Sequence, residues 1–100
     1  MKSDLFISEV VDTREVGQGV VEIYASVDGH HDRTTSMLEV KLDAYVQNHA
    51  GEQFRPSWLP TGQTFNEHLP HEDIREVGRD IFHRWVKKVH ESVPREVALS

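Results

Sequence analysis

The sequence predicts an α+β domain: a three-stranded antiparallel β-meander, with room for a short fourth strand, packed on one C-terminal amphipathic α-helix in the order β-β-β-α. Two observations carry this expectation. Leu38, Val40, Leu42, Ala44 and Val46 alternate with more polar neighbours, a period of two that no helix presents. Farther on, Ile74, Val77, Ile81, Phe82, Trp85, Val86, Val89 and Val93 gather on one half of a helical wheel, and a half-apolar helix needs a sheet to cover it. The chain has 100 residues, the size of one domain. The expected unit spans residues 1–93, followed by a flexible tail over 94–100.

The first strand is expected at about residues 4–11. Leu5 and Ile7 fall on one side of the pleat and Phe6 and Val10 on the other, while the adjacent Val10 and Val11 break the alternation as a bulge or an edge strand would. Residues 12–19 read as a turn region, with Gly17 and Gly19 available for positive φ. The second strand, about 20–27, carries Val21, Ile23, Ala25 and Val27 on one face and Glu22, Tyr24 and Ser26 on the other. Asp28-Gly29 reads as the start of a turn that continues through His30, His31, Asp32 and Arg33. The third strand is expected at about 34–47, and short connections make the three an antiparallel meander.

Residues 48–69 form a long connection with Pro56, Pro60, Gly51 and Gly62 among Phe54, Trp58, Leu59 and Phe65. A structureless loop of this length is unusual in a small domain, so a short strand near 53–55 or 63–65 competes with an aromatic-pinned loop. Thr64-Phe65-Asn66-Glu67 has capping-box spacing and could open a helical turn. The helix itself is expected at about 70–92. Pro70 suits its first position, Glu72 and Asp73 its first turn, Lys87, Lys88 and His90 its last, and Pro94 stops it. Gly78 falls in its apolar half, where it would allow close approach to the sheet.

Composition bounds the chemistry. With no cysteine there is no disulfide framework, no thiolate metal site and no cysteine nucleophile, a pattern that fits a reducing compartment. The opening residues carry acids where a signal peptide needs an apolar run, and no stretch is long and apolar enough to span a bilayer, so the expected location is cytoplasmic, away from membrane. The net charge of −6 lies entirely in residues 1–70, where five basic residues face eleven acidic ones. That field repels a phosphate backbone and argues against nucleic acid as a partner, the remaining option being the basic residues scattered along the helix.

The most conspicuous cluster is His30-His31-Asp32, with His68 and His71 in a second loop. Imidazoles and a carboxylate from two loops could hold a divalent metal if a turn converges them, as in a metal-binding protein or a metal-dependent enzyme, although the spacing matches no metal motif, and a solvated hairpin tip accounts for the same residues. No serine sits in a nucleophile-elbow context, no carboxylate pair lies in an apolar setting, and Gly17-Gln18-Gly19 is no phosphate loop. The expectation is therefore a non-enzymatic protein that needs no cofactor and acts by binding another protein, as an accessory or inhibitory module. The uncovered sheet face would offer Tyr24, Met37, Glu39, Asp43 and Tyr45, and the long loop Arg55 and Trp58. Trp58 has a competing reading as a plug on the core. An open sheet face or edge strand would also suit a homodimer.

Overall fold

The computed structural model describes residues 2–17, 19–70 and 74–97, with residues 2 and 3 described by their backbone alone. Among the described residues it is an α+β arrangement of a five-stranded antiparallel sheet and one helix. The elements are β1 (Lys2–Val16), β2 (Gly19–Asp32), β3 (Met37–Asn48), β4 (Gln53–Phe54), β5 (Gln63–His68) and α1 (Ile74–Ser92). β1, β2 and β3 form the expected meander, and the molecule is elongated along these strands, 51 × 24 × 19 Å.

Two of the strands outrun their expected ends. β1 continues past residue 11 because the extra residue at Val11 is absorbed as a bulge, after which Asp12 pairs Ile23 and the ladder runs on to Val16–Gly19. Gly17, at φ +59°, stands in a turn directly after β1. β2 runs straight through Asp28-Gly29 to Asp32, because both flanking strands offer ladder partners there: Leu5 pairs Gly29 on one side and Val40 pairs it on the other. The true reversal lies at 33–36. The Asp32 carboxylate accepts the Thr34 N–H at 2.9 Å, and Ser36 adopts φ +57°.

The long connection contains both of the short strands that had competed. β4 pairs β3 at Val46–Phe54 and Gln47–Gln53, and β5 pairs β3 from Met37–His68 to Leu42–Gln63. They lie on the same edge of β3, so residues 53–68 amount to one returning strand interrupted by an excursion. Pro56 and Pro60 cannot donate to a ladder, which is why the chain leaves the sheet between them. The capping-box expectation at Thr64 fails, because those residues find a full ladder along β3. Asp43 lies between the stretches of β3 that pair β5 and β4, and side chains bond the backbone there. The Asp43 carbonyl accepts Trp85 Nε1–H at 2.8 Å, and the Ala44 N–H donates to Asp43 Oδ1 at 2.9 Å.

α1 lies on the face formed by Val21, Ile23, Ala25 and Val27 of β2 and Leu38, Val40, Leu42, Ala44 and Val46 of β3. It buries Ile74, Gly78, Ile81, Phe82, Trp85 and Val89, with Val77 and Val86 half-buried beside them, much as the wheel implies. Pro70, the expected first helical residue, lies in no helix, and α1 is described from Ile74; the expected first-turn acids Glu72 and Asp73 lie outside the described residues. At the other end, Ser92 Oγ donates to the Val89 carbonyl. The chain after the helix does not begin as a loose tail: Arg14 Nη1 donates to the carbonyls of Pro94 and Arg95, and Asp12 holds Arg14 Nε at 2.8 Å. Among the described residues no helix is long and apolar enough to cross a membrane.

Candidate functional site: the uncovered sheet face

Strict alternation sends every second side chain of β1, β2, β3 and β5 away from the helix. Cross-strand rows on this open face read Asp4–His30–Glu39–Asn66, Phe6–Asp28–Lys41–Thr64 and Val10–Tyr24–Tyr45. At the centre Tyr24 and Tyr45 stack with ring centroids 5.1 Å apart and planes 12° from parallel. Arg55 extends the shelf from the excursion, its guanidinium 5.6 Å from the Tyr45 centroid and forked onto Asp43 through Nη2–Oδ2 at 2.7 Å and Nε–Oδ1 at 3.3 Å. That carboxylate also holds the Arg55 pKa above its ordinary value. Asp43 therefore joins three parts: its side chain fixes Arg55 and its own strand edge, and its carbonyl receives Trp85 from the helix.

The exposed large apolar side chains of the described residues are Phe6, Val10, Val20 and Met37, and all four lie on this face. Acidic groups surround them: Asp4, Glu22, Asp28, Asp32, Glu39 and Asp43 share the face, with Lys41 reaching Glu39 at 4.0 Å. At the reversal end, a depression of about 440 Å³ is lined by His30, Asp32, Thr35, Met37, Glu39 and Asn66.

The histidine cluster is pulled apart by the strand that holds it. His30 and His31 are consecutive in β2 and face opposite sides of the sheet. His31 is 2% exposed, on the helix side, and its Nε2 bonds the Leu69 carbonyl at 2.9 Å. A carbonyl only accepts, so Nε2 carries the proton. This bond, with Leu69 N–H to the Ser36 carbonyl at 2.7 Å, ties down the chain after β5. His30 is on the open face, bonded through Nδ1 to Asp4 at 2.7 Å and with Nε2 3.3 Å from Asp28. Asp32 is engaged in the turn, and the Thr34 N–H holds its carboxyl below the usual range. His68 lies exposed beside Met37 on β5, and His71 is outside the described residues. Among the described residues no group of three or more histidines and carboxylates is arranged to hold a metal ion.

His30 makes the open face responsive to pH. The hydrogen bond to Asp4 raises its pKa above the ordinary 6.5, and the charges of Asp28 and Glu39 push the same way. A raised histidine binds its proton more tightly in the folded state. Its contribution to stability is full below the unfolded value and fades as pH rises through the folded one. An NMR titration of the His30 ring is expected to give a midpoint above that of an unstructured histidine, and Asp4→Asn to return it toward the ordinary value.

Trp58 is half-buried and packs against the core, as do Phe54 and Phe65, so it belongs to the plug rather than to the open face. Phe6 and Val10 join the candidate surface through the pairing of β1 with β2; strand parity separates them from Leu5 and Ile7 without saying which set faces the helix. A second concavity, about 360 Å³, lies on the helix side between β5 and α1, with Leu42, Phe65, Ile81 and Trp85 beneath Glu67, Arg84 and Lys88. No family model, no curated protein and no solved structure matches this chain.

Proposed function

We propose that this chain is a non-enzymatic binding module of the cytoplasm, whose open sheet face takes a partner protein presenting an apolar patch ringed by basic residues. The observation that carries this reading is that Val10 lies beside the stacked Tyr24–Tyr45 pair, with Phe6, Val20 and Met37 spaced along the same face within an acidic field. Stacked tyrosines offer a large, already ordered contact area, so little side-chain freedom is lost on binding. The carboxylates steer a basic surface toward them and disfavour an acidic one. Glu39 and Asp28 are the charges to test, because Asp43 also secures Arg55 and its reversal would disturb the excursion.

The test is quantitative capture from host extract by the wild-type chain and by two variants, Tyr45→Ala and the pair Asp28→Lys with Glu39→Lys. A partner bound through this face is recovered at least tenfold less well by each variant, equivalent to about 1.4 kcal/mol. Its binding to the wild type weakens as salt rises, and its own surface is basic. Equal recovery of the same proteins by all three chains, at every salt concentration, removes the reading.

A further inference from the structure

We propose that β1 pairs with β1 of a second copy of this chain, antiparallel about a two-fold axis at Phe6, joining the two sheets into one. This surface is the edge of the sheet, distinct from the Tyr24–Tyr45 shelf. β1 is the terminal strand of the sheet, so its outer backbone groups face no strand of this chain among the described residues. Sheet edges are ordinarily blunted by proline, by bulges or by charge. The regular part of this edge, Lys2–Val10, contains no proline, and Leu5-Phe6-Ile7-Ser8 at its centre contains no charge. Phe6 is 70% exposed, the largest exposure among the large apolar side chains described, and Leu5 and Ile7 are only half-buried under α1.

The register follows from symmetry. In a two-fold antiparallel pair, opposed residue numbers have a constant sum, and that sum must be even for like faces to meet. The bulge at Val11 ends the regular edge at Val10, and the midpoint of Lys2–Val10 is Phe6. Pairing about Phe6 uses the whole regular edge. It sets Phe6 against Phe6 on the open face and Leu5 against Ile7 on the helix side. Asp4 falls opposite Ser8 and Glu9 opposite Ser3, so no carboxylate faces another. The neighbouring even registers are worse matched: one sets Phe6 opposite Asp4, the other Leu5 opposite Glu9. A strand that complements itself in its longest available register commits the edge to a copy of the same chain. The axis stands perpendicular to the sheet, so both helices lie on one side and both open faces on the other.

Sedimentation velocity of the full chain across the micromolar range is expected to show the mass rising from 11.5 kDa to twice that value. Phe6→Lys places two ammonium groups at the axis and holds the chain at monomer mass throughout, with an unchanged far-UV circular dichroism spectrum because the site is exposed. The chain has no cysteine, so a single one reports the register. Phe6→Cys gives a disulfide-linked dimer under mild oxidation, whereas Thr13→Cys, beyond the bulge, does not. A wild-type chain that stays monomeric, a dimer that survives Phe6→Lys, or cross-linking through Thr13→Cys as fast as through Phe6→Cys overturns the proposal. None of these readouts involves a partner protein, so this inference and the proposed function fail separately.

Discussion

Trp85→Ala is expected to cost about 3–5 kcal/mol, the range for emptying a buried aromatic site. Folded domains of this size hold only about 5–15 kcal/mol in total, so the variant would sit close to unfolding and melt about 15–30 °C lower. The size of the effect comes from two contributions that act together. The ring is 3% exposed at the centre of the core, and its Nε1–H donates to the Asp43 carbonyl, between the stretches of β3 that pair β5 and β4. Trp85→Phe separates them. It keeps most of the apolar volume and leaves that carbonyl without its donor, so its expected cost is about 1–3 kcal/mol. Urea unfolding of both variants is the measurement. Equal losses would mean that the hydrogen bond dominates, and a loss under 1 kcal/mol for the alanine variant would mean that the helix is not seated as described.

The link between Trp85 and Asp43 also shows where sequence reading stops. The apolar helix face and the alternation of residues 38–46 are local periodicities, and they were legible because one buried face imposes them residue by residue. What periodicity cannot show is a break in strand pairing at an excursion, nor the side chain from another element that bonds the backbone there. Asp28-Gly29 misled for a related reason. Its local preference is for a turn, but ladder partners on both sides outweigh a preference worth about 1 kcal/mol. Extending β2 through that dipeptide put His30 and His31 on opposite faces, which no reading of the cluster as a loop could anticipate. The acidic open face was legible in outline, since the charge surplus and the tyrosines lay on alternate strand positions. Its apolar content was not, because placing Phe6 and Val10 there needs the pairing of β1 with β2.

Gly78→Val is expected to destabilise by about 3 kcal/mol, and the reason lies where α1 meets β1. Intrinsic preference points the other way, since glycine is among the poorest helix formers and alanine gains about 1 kcal/mol over it. The packing decides. A Cβ built at residue 78 overlaps the Leu5 Cδ2 methyl and lies 3.4 Å from its Cγ, so any side chain at that position must displace the Leu5 side chain from its place between α1 and β1. Valine adds two methyl groups there and forces the helix off the sheet or Leu5 out of its site, the overpacking that costs about 1–3 kcal/mol, on top of the loss of Leu5 packing. Alanine is the sharper probe. In the wild-type background, Gly78→Ala is expected to destabilise, because Leu5 must rotate outward. In a Leu5→Ala background the obstruction is gone, and the same change is expected to stabilise by about 1 kcal/mol as helix preference takes over. A reversal of sign in this double-mutant cycle identifies the Leu5–Gly78 contact as the seat of the helix. Additive effects would locate the seat elsewhere along α1.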